Sequence, residues 1–151
     1  MSPSESPSPS LGYQDYTKEA NVALPGNDDD LSTQYSAPEV AKVAIIDLDR
    51  VPQSANVDSY AIHQFKDFIG GALNNGTLTC VVQTNCPPSS STVYLQIYNR
   101  VSVGWDPVDS NSVANPDEDF TLTGFIEDFS NYKDGNTVIS CRVYQKAAVI
   151  V

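Results

Sequence analysis

The sequence predicts an all-β protein, an antiparallel β-sandwich preceded by an extended N-terminal arm. Three observations carry that expectation. Val93–Trp105 alternates, broken only at Asn99, with Val93, Leu95, Ile97, Val101, Val103 and Trp105 on one side and Tyr94, Gln96, Tyr98 and Arg100 on the other. In a strand such alternation sends successive side chains to opposite faces of the sheet. Further short stretches repeat the period of two and are separated by Gly, Asn, Pro and Ser clusters, the spacing of a sandwich. Finally, residues 1–38 differ in kind, holding five of the ten prolines and six acidic residues against Lys18 alone.

Residues 1–38 are read as the arm and 39–151 as the β-sandwich domain. MSPSESPSPS is low in complexity and leans toward extended, polyproline-like conformations. Yet Leu11, Tyr13, Tyr16, Val22, Leu24, Leu31 and Tyr35 recur through the segment, whereas a fully disordered tail carries few aromatics. Two readings stand: a solvated tail, or an arm lying along a neighbouring subunit with these side chains as pegs. Fully extended, such an arm reaches ~125 Å at ~3.3 Å per residue.

Within the domain, Val40–Val51 is the first expected strand, with Ala44, Ile46 and Leu48 facing one way and Asp47 and Asp49 the other, ended by Pro52. In Tyr60–Ile69 the spacing of Ile62, Phe65 and Ile69 also fits a helix. A strand is favoured because its surroundings are β. Gly70-Gly71 and Asn74-Asn75-Gly76 are turns. Thr77–Thr84 places Leu78, Cys80 and Val82 on one face, and a Pro/Ser-rich loop then leads into Val93–Trp105. That stretch is expected to be one central strand, its apolar side closed by Trp105, with Asn99 marking a bulge or the midpoint. The polar run Asp106–Asp119, with Pro107 and Pro116, reads as a long connection between sheets. Phe120, Leu122, Gly124 and Ile126 form the next strand face. Lys133-Asp134-Gly135-Asn136 is a turn whose Asp-Gly supplies the positive φ of tight hairpins. Thr137–Val151 closes the chain with Ile139, Cys141 and Val143 inward, Arg142 and Tyr144 more exposed. Its end, Ala147–Val151, is apolar on both faces, as in a strand buried on both sides or paired with a partner chain.

Composition narrows function by exclusion. A net charge of −11 with only eight Lys and Arg argues against nucleic acid as a partner. No apolar run approaches the about 20 residues that span a bilayer, and the first residues lack a secretory signal's basic and apolar regions, so no membrane association is expected. His63, the only histidine, has no G-x-S-x-G elbow to serve, and a structural or surface role is expected. Cys80, Cys86 and Cys141 allow a Cys80–Cys141 or a Cys80–Cys86 disulfide, or buried free thiols. Asp28-Asp29-Asp30 and Asp117-Glu118-Asp119 lack the spacing of a calcium loop. Glu127 and Asp128, adjacent on a strand, point to opposite faces and cannot share a substrate. Asn75-Gly76-Thr77 is a glycosylation sequon that matters only in a eukaryotic secretory setting. No catalytic residue, metal ligand or cofactor is expected. The most site-like surface is the row Tyr94, Gln96, Tyr98 and Arg100, which suits a subunit interface, sugar stacking or internal packing.

Val93-Tyr94-Leu95-Gln96-Ile97-Tyr98-Asn99, Trp105, Asp119-Phe120-Thr121-Leu122-Thr123-Gly124, Asn131-Tyr132 and Arg142-Val143-Tyr144-Gln145 together resemble a β-sandwich module of phage structural proteins and modular bacterial surface proteins. The resemblance covers roughly residues 55–147. It implies an immunoglobulin-like or jelly-roll-like architecture, assembly or adhesion, and no catalytic residues. The expected function is that of a non-enzymatic virion structural protein, a phage capsid decoration (cement) protein assembled in the host cytoplasm. Its arm would bind the major capsid protein or its own copies through Leu11, Tyr13, Tyr16, Val22, Leu24, Leu31 and Tyr35, with Tyr94 and Tyr98 as a further contact surface. The alternative is a carbohydrate-binding or adhesin module at the cell surface.

Overall fold

A computed structural model of the chain describes residues 14–43 and 51–148. Eight strands and one short helix follow in the order β1 (Gln14–Val22), β2 (Thr33–Gln34), α1 (Ala37–Val43), β3 (Tyr60–Phe68), β4 (Gly76–Val82), β5 (Val93–Asn99), β6 (Gly104–Asn111), β7 (Phe120–Ile126) and β8 (Val138–Lys146). They form an all-β sandwich of two antiparallel layers, a six-stranded sheet ordered β2-β1-β3-β8-β5-β6 against a two-stranded sheet of β4 and β7.

The period of two builds the core between the layers. Val93, Leu95 and Ile97 of β5 and Cys141 and Val143 of β8 pack against Leu78, Cys80 and Val82 of β4 and Phe120, Leu122 and Ile126 of β7. Each fully enclosed side chain here, such as Ile97 or Leu122, contributes roughly 1.5–3 kcal/mol by leaving water. Gly124 lets β6 and β7 approach, since a Cβ at that position would lie 2.6 Å from Val108 Cγ1.

The expected division at residue 38 does not follow the fold. β1 pairs along β3, placing Tyr16 opposite Phe65 and Glu19 opposite Ile62. The chain from Val22 to Leu31 then covers the outer face of the six-stranded sheet. The physical reason is that β3 would otherwise be a bare edge with a half-apolar face, and the segment's own apolar residues complete it.

Residues 40–43 of the expected first strand are helical. Ser36-Ala37-Pro38-Glu39 forms a capping box, in which the Ser36 N–H donates to Glu39 Oε1 at 3.0 Å and the Glu39 N–H to Ser36 Oγ at 3.3 Å. Residues 44–50 of that expectation lie outside the described residues. Tyr60–Ile69 does form a strand, β3, over Tyr60–Phe68.

Val93–Trp105 is two strands, not one. Asn99 ends β5, its Oδ1 accepting from the N–H groups of Val101 and Ser102. The chain returns as β6, so Trp105 sits opposite Tyr98 on the outer face and does not close the apolar side. Pro107, read as part of a connection, lies within β6, where an edge strand with a register shift at Leu95/Gln96 tolerates the missing N–H. Of the expected connection Asp106–Asp119, only residues 112–119 lie between strands, joining β6 to β7 in the other layer.

β7 and β8 belong to different sheets, so the turn at Asp134-Gly135 is no hairpin. Asp134 Oδ1 accepts from the N–H groups of Asn136 and Val138, and the left-handed residue is Thr137 (φ 61°), not Gly135. In β8 the residues expected to be exposed, Arg142 and Tyr144, are buried, because the N-terminal segment lies over them. Of the apolar C-terminal tail, residues 149–151 lie outside the described residues.

Candidate interaction surface

Because Val93, Leu95 and Ile97 turn into the core, Tyr94, Gln96 and Tyr98 turn outward, where aromatic rings and guanidinium groups interleave. Tyr94 stacks on Tyr144 with centroids 5.2 Å apart, and Tyr98 meets Trp105 edge-on at 5.1 Å. The Arg142 guanidinium lies 4.2 Å from the Trp105 ring centroid, donates from Nε to Gln96 Oε1 at 2.9 Å and from Nη1 to the Pro25 carbonyl at 2.7 Å. Burial lowers Arg142 to about 10, so it stays charged at neutral pH. Arg100 stacks on Tyr98 at 5.4 Å and donates from Nη1 to Asp28 Oδ2 at 3.0 Å. The row therefore splits: Tyr98, 6% exposed, is internal packing, while Tyr94, 38% exposed, faces solvent.

The arm pegs point into their own sandwich. Tyr16 packs edge-on against Phe65 at 4.9 Å and donates its hydroxyl proton to Asp67 Oδ1 at 2.7 Å. Leu31 is buried with Ile62 and Tyr144, and Val22 and Leu24 pack against them. Tyr35 is buried beside His63. These residues cannot grip a neighbour while so placed. Leu11 and Tyr13 lie outside the described residues.

Asp28 fastens this segment to the sheet. Its carboxylate accepts from Ser140 Oγ at 2.7 Å as well as from Arg100, and Gln64 Nε2 donates to its backbone carbonyl at 2.6 Å. Burial works against the Asp28 charge, but the Ser140 hydroxyl, Lys66 and Arg100 outweigh it and hold the carboxyl below its usual range.

On the inner side, Tyr35 and His63 form a second polar cluster. Burial raises the Tyr35 phenol, which stays protonated, and its hydroxyl and His63 Nδ1 share a hydrogen bond at 2.5 Å. The half-buried His63 is pushed down to about 4, first by desolvation and then by Lys18, with Glu39 opposing. Lys18 bonds Glu39, and that hydrogen bond, with the Ser36 cap, lowers Glu39 to about 2. The imidazole, neutral at neutral pH, is thus held in place by the Tyr35 phenol. Cys80, Cys86 and Cys141 are free thiols. Burial raises Cys80 to about 11 and Cys141 further, away from thiolate chemistry. Among the described residues no group of three His, Cys, Asp or Glu side chains is placed to hold a metal ion.

Sequence reasoning missed the end of the sandwich carrying the β5–β6 turn. Phe129 N–H donates to the Asn74 carbonyl and Arg100 N–H to the Asn131 carbonyl, tying three loops together there. The same end leaves Val101 73%, Val103 68%, Leu73 45% and Phe125 60% exposed. Val101 and Val103 continue the alternating apolar row beyond Asn99, and the signal was masked by reading that row as one strand. No family model, curated protein or solved structure matches the chain.

Proposed function

We propose that the chain is a non-enzymatic structural protein of a viral particle, of the kind that decorates a phage capsid. In this reading it docks onto other virion proteins, the major capsid protein or its own copies, by the end of the sandwich bearing Leu73, Val101, Val103 and Phe125. The exposure of those four side chains is the observation that carries the reading. All four lie at the end of the sandwich that carries the β5–β6 turn, and large apolar side chains gathered at one end mark a candidate contact site. The opposite end exposes Val57 and Val113, a smaller apolar display. The acidic balance fits a protein partner better than a nucleic acid. Threading of the Tyr16–Tyr35 pegs across neighbours is not part of this docking, since those side chains are engaged at home. The glycan-binding alternative loses one of its two stacking rings with the burial of Tyr98.

Density-gradient fractions from the culture that yields the chain, probed with an antibody against it, test the proposal. The antigen is expected to band with intact particles. Recovery in the cell-envelope fraction, with none on particles, would overturn it in favour of a surface adhesin.

A further inference from the structure

We infer that the N-terminal segment Gln14–Val43 is a transferable latch, exchanged between two copies of this chain so that each body is completed by its partner's segment. Every body needs a latch. Without one, the β3 edge is bare, Ile62 and Tyr144 lose their apolar cover, and Arg142 and Arg100 lose the Pro25 carbonyl and the Asp28 carboxylate. Connectivity, however, does not dictate whose latch is used. Sixteen residues, 44–59, join Val43 to Tyr60, of which Asp58 and Ser59 are hydrogen-bonded to Ala147 of the body. The remaining length, extended, reaches about 45 Å at ~3.3 Å per residue, against a radius of gyration of about 15 Å for a domain of this size.

The contact has the character of an interface between molecules. The inter-sheet core is mainly apolar, whereas the latch combines an apolar patch of Leu31, Ile62 and Tyr144 with hydrogen bonds and charge pairs: Asp28 on Ser140 and Arg100, Asp29 on Lys66 at 2.7 Å, Gln64 on the Asp28 carbonyl. Such polar pairs re-form equally well on a second copy, because each donor meets the same acceptor. A tether of this length gives an effective concentration on the order of 1 mM, so the closed monomer wins in dilute solution and exchange wins in a crowded assembly. The inference is independent of the virion reading and is tested on the purified chain.

Ala20 lies opposite Ala61 across β1 and β3, so the full chain carrying Ala20→Cys and Ala61→Cys reports which latch each body holds. The chain is refolded and oxidised at about 10 μM and at about 1 mM, on either side of that effective concentration, and the bond is located by peptide mapping. Intrachain bonding in the dilute sample is expected, with a 20–61 interchain bond in at least half of the concentrated one. Intrachain bonding alone at both concentrations would overturn the inference. Should the double-cysteine chain fail to fold, heavy-isotope and unlabelled wild-type chains serve, read by native mass spectrometry. Mixed dimers that form only when both are denatured and refolded together at high concentration support exchange. Mixed dimers that appear on mixing folded chains, or no dimers under either condition, refute it.

Discussion

The two faces of the six-stranded sheet are both buried, but by opposite means. The inner face meets β4 and β7 mainly through apolar side chains such as Leu95, Ile97, Leu122 and Val143, with the Asp109 carboxylate accepting from the Thr123 N–H at the β6 edge. The outer face meets the N-terminal segment through Asp28, Gln64, Ser140, Arg100 and Arg142, with Leu31, Ile62 and Tyr144 as a small apolar patch. Apolar burial is non-directional and tolerates repacking, while a buried charge network fixes one geometry and fails when a single member is removed. The same strands therefore carry one face that sets overall stability and another whose attachment depends on a few atoms.

The largest effect that separates the two faces is expected for Leu122→Ala. Leu122 is fully enclosed between the layers, and truncation should cost about 3 kcal/mol, measured by denaturant unfolding, with protection lost across all strands together. Asp28→Asn should cost nearly as much, about 2–3 kcal/mol. It leaves Arg100 without its carboxylate, though Arg100 keeps the Tyr132 and Val138 carbonyls. Its signature differs: amide exchange should accelerate in β1 and at the β3 edge, while β4 and β7 stay protected. Uniform loss in both variants would erase the contrast between the faces.

Acid provides a third probe. An unfolded histidine takes its proton near 6.5, while folded His63 waits until about 4. Between those values the unfolded chain binds more protons, so stability falls as pH drops from 6.5 toward 4, by up to about 3 kcal/mol. Half-buried Asp67, raised by desolvation against the Tyr16 hydrogen bond, works in the opposite sense and blunts the fall. His63→Gln should flatten the pH dependence of the melting temperature in that window. Gly124→Ala is expected to cost about 2 kcal/mol, since the new methyl meets Val108 Cγ1 and the Val108 carbonyl. The smallest effect is a gain. Val103 is β-branched at φ 57°, and Val103→Gly should stabilise by roughly 0.5–1 kcal/mol, read as a higher melting temperature.

The contrast also explains which parts of the fold were legible in the sequence. The inner face was readable because alternation of Leu78, Cys80 and Val82, or of Phe120, Leu122 and Ile126, follows from backbone geometry alone. The outer cover was not, because Asp28 and Arg142 look like solvated charges until a distant segment brings partners to them. The capping box at Ser36–Glu39 was present as a four-residue signal and was overridden by the apolar pattern of Val40–Val51. The break at Asn99 was visible too, but its role as a turn depends on a side-chain oxygen bonding the backbone two and three residues on. Of the outward row, Tyr94 is exposed, Tyr98 is internal, and Val101 and Val103 were hidden inside a row taken for a single strand.

The order β1-β3-β8 has a consequence for synthesis. β3 is flanked by the first described strand and by the last, Val138–Lys146, so the large sheet cannot assemble until β8 has left the ribosome. Until then the nascent polypeptide must hold Ile62 and Phe65 without their β8 partners Tyr144 and Cys141, with only β1 and the Val22–Leu31 segment to cover them, a vulnerable interval in which chaperone binding and translation speed govern yield.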